Sequence, residues 1–174
     1  TLQLPHWFVG AQSRPEVKVD EIHVLRLTLA RESFRCAPCP HNRRMTSEDA
    51  VRVAVVGYGL GGRTFHVPFI LEAGMAVSHV VTANPERVAQ VRTEVPEARV
   101  VESLEALLAD GETPELVVLA SPSGLHAEQA HAVLDAGIAL VVDKPLATDA
   151  SQARAVVEHA ERAGVPLTVH HNRR

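Results

Sequence analysis

The 174-residue sequence predicts an α/β fold, a doubly wound parallel sheet with helices on both faces, and three observations favour it. Apolar runs of strand length alternate with helical patterns after residue 50. Three runs, at residues 53–56, 116–120 and 138–142, are apolar on consecutive residues, as in strands that are buried on both faces. The helical segments between the runs begin and end at capping residues.

Six strands are predicted, and helices between consecutive strands imply right-handed crossovers and the strand order 3-2-1-4-5-6. The runs that predict them are residues 51–57, 76–82, 99–101, 116–120, 138–142 and 167–170.

Two later helices have clear ends in the sequence. Ser123 is predicted to cap a helix through about residue 136, which Gly137 closes. Asp149 and Gln152 predict a capping box for a helix that Gly164 ends. One face of that second helix carries apolar residues at helical spacing, which predicts that it covers the sheet with Ala153, Val156, Val157 and Ala160.

A glycine-rich loop follows the first strand. Gly57, Gly59 and Gly62 fit the pattern G-x-G-x-x-G, with a strand before it and a helix beginning near Leu60. In a dinucleotide-binding Rossmann domain these glycines allow a tight turn, close approach of the pyrophosphate and close helix packing. The alternative is a glycine-rich turn without a ligand. The loop predicted to bind a cofactor comprises Gly57, Tyr58, Gly59, Leu60, Gly61 and Gly62.

The tip of the second strand indicates which cofactor is bound. An acid at this tip would bind the adenosine ribose hydroxyls, but the chain has Thr82, Ala83 and Asn84 there. These residues leave room for a 2′-phosphate, and Arg87 supplies a positive charge one helical turn later. The tip therefore favours NADP over NAD. The alternative is that Arg87 is an ordinary surface residue.

Composition excludes several classes of partner. The formal net charge is −4 and there is no extended basic segment, so we expect no nucleic-acid partner. No apolar run approaches the roughly 18 residues of a membrane span, and the N-terminus lacks the pattern of a signal peptide. We therefore expect no membrane partner and a cytoplasmic protein.

Residues 1–44 differ from the rest. They contain scattered prolines and no sustained periodicity, and Met45 begins a stretch that looks like a natural protein start. We expect an irregular N-terminal extension outside the fold at 1–44 and a nucleotide-binding domain at 45–174. Cys36 and Cys39 with His41 resemble half of a metal site, but no second pair follows at zinc spacing, so no metal is expected.

Four segments resemble a known family. They are residues 57–68 (GYGLGGRTFHVP), 120–126 (ASPSGLH), 142–147 (VDKPLA) and 169–174 (VHHNRR). Together they resemble the Gfo/Idh/MocA oxidoreductases, and in particular the branch with NADP-dependent scyllo-inositol dehydrogenases. The resemblance covers about residues 51–174 and not residues 1–44.

The resemblance implies roles at the turn after the fourth strand. That turn lies at the carboxyl edge of the sheet, where open α/β folds bind ligands. In the family it runs along the cofactor towards the nicotinamide, which implies binding roles for Ser121, Pro122, Ser123 and His126. Without the motif, His126 would be interpreted as a helix-face histidine satisfied by its neighbours.

Lys144 is the predicted catalytic residue, and Asp143, Lys144 and Pro145 are also predicted to bind the cofactor. Asp143, Lys144 and Pro145 end the fifth strand at the same edge, and Pro145 favours an extended Lys144 that projects from the sheet. A lysine beside the nicotinamide would orient and polarise a substrate hydroxyl as hydride leaves its carbon. The family's usual motif is Glu-Lys-Pro, so Asp143 shortens the acidic arm by one methylene. The alternative is that Lys144 is an ordinary surface lysine. His66, in the segment Phe-His-x-Pro, is as consistent with a packing role as with a catalytic one.

The family implies a second domain as well. Its members continue into an α/β domain that supplies most of the substrate pocket, an acid/base histidine and the oligomer interface, so the full-length protein is expected to be a homo-oligomer. Two hypotheses follow. The chain is the cofactor domain of an NAD(P)-dependent oxidoreductase that acts on a hydroxyl carbon of a sugar or an inositol-like polyol, or it is a truncated cofactor-binding module without turnover.

Overall fold

The computed structural model describes residues 50–171. The predicted extension at 1–44, with Cys36, Cys39 and His41, lies outside the described residues, as do residues 172–174.

The described residues form a parallel sheet of six strands in the order β3-β2-β1-β4-β5-β6, so the predicted topology is confirmed. One boundary matters for the site. β5 begins and ends one residue later than predicted, which brings Asp143 into the sheet in register with His170. The strands are β1 Arg52–Val56, β2 Ala76–Val81, β3 Arg99–Val101, β4 Leu116–Leu119, β5 Ala139–Asp143 and β6 Leu167–His170.

A helix follows each of the strands β1 to β5, and three of these helices begin at a side-chain cap. Asn84, Ser103 and Asp149 each accept hydrogen bonds from main-chain N–H groups of the first turn, which would otherwise lack partners. The helices are α1 Val67–Glu72, α2 Pro85–Glu94, α3 Leu104–Leu108, α4 His126–Asp135 and α5 Ala150–Ala163, and a π-helical turn, Gly61–His66, precedes α1. None of these helices is long and apolar enough to cross a membrane.

Two apolar clusters sandwich the sheet, because alternate strand residues point to opposite faces. On one face Val53 and Val55 pack with residues of α1 and α2. On the other, Ala54 and Val56 pack with residues of α3, α4 and α5. Helices therefore cover both faces, as the consecutive apolar runs predicted.

Ser123 does not cap α4. The N–H of Leu125 donates to the carbonyl of Pro122 at 2.9 Å, which closes a 3₁₀ turn over Ser123–Leu125. The α-helix starts only at His126, with no side-chain cap. The predicted end holds, since Gly137 follows the helix with a φ of 71°.

Two details of α5 also differ from the prediction. Gln152 does not complete a capping box, because its Oε1 accepts from the Thr148 hydroxyl at 3.2 Å. Val157 is 40% exposed, whereas Val156 is fully buried. Consecutive helical residues point about 100° apart, so the narrow buried face of α5 includes Val156 and Ala160 but not Val157. Gly164 ends the helix in the left-handed conformation, as predicted.

Candidate cofactor-binding site

A cleft of about 590 Å³ lies at the carboxyl edge of the sheet, where β1, β2 and β4 end. Strand order reverses between β1 and β4, and open α/β sheets bind their ligands at such a switch point. The cleft brings together eight of the predicted cofactor-binding residues: Gly57, Gly59, Thr82, Ala83, Asn84, Arg87, Ser121 and Pro122. The other predicted residues do not line it: Tyr58, Leu60, Gly61, Gly62, Ser123, His126, Asp143, Lys144 and Pro145.

The glycine loop is closed by contacts that leave no room for side chains at two positions. Gly57 has a φ of 96°, and a Cβ there would lie 2.8 Å from the carbonyl oxygen of Ala120. A Cβ at Gly62 would overlap the carbonyl oxygen of Gly57. At Gly59 the only atoms of residues 50–171 within 4 Å of an added Cβ belong to the Arg87 guanidinium, at 3.8–3.9 Å. Gly59 therefore presents bare backbone to the cleft.

Tyr58 points away from the cleft. Its side chain is 1% exposed and packs in the apolar cluster with Val67 and Ile70. Its hydroxyl donates to Glu94 at 2.9 Å, and the Arg63 guanidinium holds the same carboxylate. Burial and the neighbouring Glu94 raise the pKa of Tyr58 to about 12. Any contact with a cofactor would come from the main chain of this residue.

We expect the variant Tyr58→Phe to lower the free energy of unfolding by about 1 kcal/mol, because it removes one hydrogen bond and keeps the ring. NADPH affinity should be unchanged, since the hydroxyl faces Glu94. Urea unfolding and a fluorescence titration would measure the two quantities. A large loss of affinity at unchanged stability would contradict this placement of Tyr58.

The residues after β2 cap the next helix and place an arginine at the cleft. Asn84 caps α2 by accepting from the N–H groups of Glu86 and Arg87, at 3.0 and 3.1 Å. This cap fixes the first turn of α2 and so places Arg87 beside Gly59 at the cleft. Arg87 takes part in none of the ion pairs found among residues 50–171. Its charge is therefore available to an anion in the cleft.

Sequence reasoning missed part of the cleft wall. The cleft is also lined by four residues at the junction of β3 and α3, Glu102, Ser103, Leu104 and Glu105, and by Gln129 of α4. The signal that could have found the first four is their position directly after β3, at the edge where the glycine loop also lies. Gln129 carries no such signal, because it lies within α4 and only the packing of that helix in three dimensions brings it to the cleft.

The turn after β4 is fixed by side chains of α4. The Ser121 hydroxyl bonds the Gln129 side-chain carbonyl at 2.5 Å. His126 is 1% exposed, with Nε2 2.8 Å from the carbonyl oxygen of Ser121 and Nδ1 2.7 Å from that of Pro145. The imidazole thus bridges the chain ends of β4 and β5, and both of its nitrogens are occupied by main-chain carbonyls.

Lys144 follows β5 at the same edge of the sheet. Its side chain is exposed, its main-chain N–H donates to Oδ1 of Asp143 at 2.9 Å, and its peptide bond to Pro145 is cis. Asp143 also lies under the glycine loop, since a Cβ at Gly61 would be 3.1 Å from its Oδ2. The acidic residue therefore contacts both the loop and the main chain of the lysine.

Known proteins match this domain. A family model described as "oxidoreductase family, NAD-binding Rossmann fold", of the Gfo/Idh/MocA group, matches residues 51–171. This chain belongs to that family. The chain is 36% identical over 127 residues to scyllo-inositol 2-dehydrogenase (NADP(+)) of Bacillus subtilis, and the match covers 72% of this chain and 34% of that protein. It is 33% identical over 126 residues to inositol 2-dehydrogenase of Rhodococcus erythropolis, covering 71% and 36%.

A solved structure agrees with these relatives. A dehydrogenase of Bordetella pertussis in complex with NADH and UDP-GlcNAcA superposes with a TM-score of 0.65 at 33% identity, over 70% of this chain and 35% of that one. The chain thus spans about a third of the length of the relatives that it matches.

Proposed function

We propose that the domain binds NADP, or NAD, and serves an oxidoreductase that transfers hydride between this cofactor and a hydroxyl carbon of a sugar or an inositol-like polyol. The observation that carries the proposal is Gly59, whose bare backbone faces the cleft at the switch point of the sheet. Side chains at Gly57 or Gly62 would break the loop itself, whereas a side chain at Gly59 would chiefly fill the space that a pyrophosphate needs.

The lining residues would hold the two ends of the cofactor. The Gly57 N–H is taken by the carbonyl of Val81, so the N–H groups later in the loop would donate to the pyrophosphate, and Arg87, beside Gly59, would hold a 2′-phosphate. Ser121 and Pro122 line the opposite side, at the end of β4. The nicotinamide, when bound, accepts or donates the hydride.

Lys144 is the residue that we assign to the substrate hydroxyl. It is exposed at the carboxyl edge, and Asp143 holds its main chain through the N–H group. A lysine there orients the hydroxyl and stabilises negative charge that develops on its oxygen as the proton leaves. The inositol dehydrogenases among the relatives support a polyol as the substrate.

A second function, cofactor binding without turnover, has one observation in its favour. Lys144 does not line the cleft formed by Gly57, Gly59 and Pro122. A purified chain that binds NADPH but does not oxidise inositols would support this alternative for residues 1–174. Robust turnover by the same chain would exclude it.

Titrations of the chain with NADPH and with NADH, followed by cofactor fluorescence, test the proposal and the preference together. We expect tighter binding of NADPH. The variant Arg87→Ala should weaken NADPH binding by about tenfold or more and change NADH binding by less than about twofold, because only NADPH offers a 2′-phosphate to the guanidinium.

Arg92→Ala is the matched control, since Arg92 is an exposed arginine of the same helix that does not line the cleft. It should bind both cofactors like the parent chain. Absence of binding by the parent chain would refute the cofactor site. Equal losses for NADPH and NADH in Arg87→Ala would refute recognition of a 2′-phosphate by this residue.

A further inference from the structure

Three side chains that can bind metals converge where β5 and β6 end. Asp143 and His170 are register partners on the two strands, and His66 reaches them from the end of the π-helical turn. Nε2 of His66 lies 3.7 Å from Oδ2 of Asp143, and Nδ1 of His170 lies 3.7 Å from Oδ1. One ligand atom from each residue lies within 4.8 Å of the other two.

Each of the two imidazoles has one buried nitrogen without a hydrogen-bond partner among residues 50–171. These atoms are Nε2 of His66, a residue that is 6% exposed, and Nδ1 of His170. Buried polar atoms are nearly always satisfied, because an unsatisfied one costs about 1–3 kcal/mol. Here two such atoms face one carboxylate at distances too long for hydrogen bonds. A cation between the three groups would satisfy all of them.

Two imidazole nitrogens and one carboxylate make up the donor set. The carboxylate supplies a negative charge to offset the charge of a cation. Imidazole and carboxylate together suit zinc and similar first-row divalent ions.

The spacing requires small movements only. Zinc binds imidazole nitrogen and carboxylate oxygen at about 2.0–2.2 Å, so ligand atoms in a tetrahedral site lie about 3.3–3.6 Å apart. The two 3.7 Å gaps are close to that range. The rings of His66 and His170 already meet edge to face with their centroids 4.6 Å apart, and the side chain of His170 is 30% exposed.

We propose that His66, Asp143 and His170 form a binding site for a divalent transition-metal ion, zinc or a similar cation. Three protein ligands leave the fourth position of a tetrahedral ion to water or to a hydroxyl oxygen of a ligand. Asp143 would then have two roles, since its Oδ1 also accepts from the N–H of Lys144. The site does not depend on the proposed cofactor, and its test uses none.

Cobalt(II) is the probe, because its visible spectrum distinguishes a tetrahedral site from a hydrated ion. The full chain carries Cys36→Ser and Cys39→Ser as background, so that thiolates do not compete for the metal. After treatment with a chelator, we expect one equivalent of Co²⁺ to give tetrahedral absorption that one equivalent of Zn²⁺ removes. X-ray absorption of the bound Zn²⁺ should show two imidazole nitrogens.

Asp143→Asn and His170→Gln should each weaken Co²⁺ binding by more than about 100-fold, beyond the loss seen when only a supporting group of a metal ligand is removed. His131→Gln is the matched control, since His131 contacts His159 elsewhere, across α4 and α5, and it should bind Co²⁺ like the parent.

Absence of Co²⁺ binding by the parent chain would overturn the proposal. So would unchanged binding in both site variants, or loss of binding in His131→Gln alone. If either site variant fails to fold, two other measurements decide. X-ray absorption of the parent chain must show two imidazole nitrogens on Zn²⁺, and His66→Gln must weaken Co²⁺ binding; failure of either overturns the proposal. NADPH binding is measured separately, so failure here is distinct from failure of the proposed function.

Discussion

The variant Gly62→Ala is expected to destabilise the domain by about 3 kcal/mol or more and to abolish NADPH binding. The added methyl would overlap the Gly57 carbonyl oxygen and touch the Val55 side chain at 3.3 Å. Alanine gains about 1 kcal/mol over glycine in a helix, but overpacking against main chain costs more than that gain. Relief of the overlap would move the π-helical turn away from β1 and open the loop. Urea unfolding and a fluorescence titration would measure both effects.

Gly59→Ala separates binding from folding. Among the described residues, an added Cβ at Gly59 would meet only the Arg87 guanidinium, at ordinary contact distances of 3.8–3.9 Å, so stability should change by less than about 0.5 kcal/mol. The methyl would nevertheless stand between the backbone and a pyrophosphate, and NADPH affinity should fall by about tenfold or more.

Gly111→Ala provides the control for both variants, because an added Cβ at Gly111 would have no neighbour within 4 Å in the part of the chain that the structure describes. It should be close to the parent in stability and in binding. If Gly59→Ala binds NADPH as tightly as Gly111→Ala, the assignment of the loop to the pyrophosphate is wrong.

Local signals predicted the architecture because burial and capping act within a few residues of each other. Consecutive apolar residues such as 53–56 indicate a strand covered on both faces, and Asp149 and Gly164 satisfy the main chain at the ends of one helix. Ser123 shows the limit of such reasoning. A serine before a helix usually caps it. Here the N–H of Leu125 donates to the carbonyl of Pro122, and a 3₁₀ turn over Ser123–Leu125 precedes the α-helix.

The site was predicted less completely, because its parts meet only in three dimensions. Motifs contiguous in sequence, such as Gly57 to Gly62, were found. The group of His66, Asp143 and His170 was not, since its members come from three distant segments and depend on the register of β5 with β6. A strand shifted by one residue would turn the Asp143 side chain to the other face of the sheet.

The variant His126→Phe is expected to lower the free energy of unfolding by about 2 kcal/mol or more and to weaken NADPH binding. The phenyl ring is larger than the buried imidazole and donates no hydrogen bond to the carbonyls of Ser121 and Pro145. A neutral imidazole donates one hydrogen bond and an imidazolium two, so at least one buried carbonyl loses its donor. Each such loss costs about 1–3 kcal/mol.

The effect on NADPH binding would be indirect, because His126 does not line the cleft and acts by holding the residues around it in place. Without the imidazole the turn at Ser121 is no longer tied to the segment that carries Lys144, and both lie at the edge where the cofactor is proposed to bind. Ser123→Ala is the control, since its hydroxyl caps no helix, and its stability should stay within about 0.5 kcal/mol of the parent. A His126→Phe variant as stable as Ser123→Ala would show that the bridge between β4 and β5 does not hold this edge of the sheet.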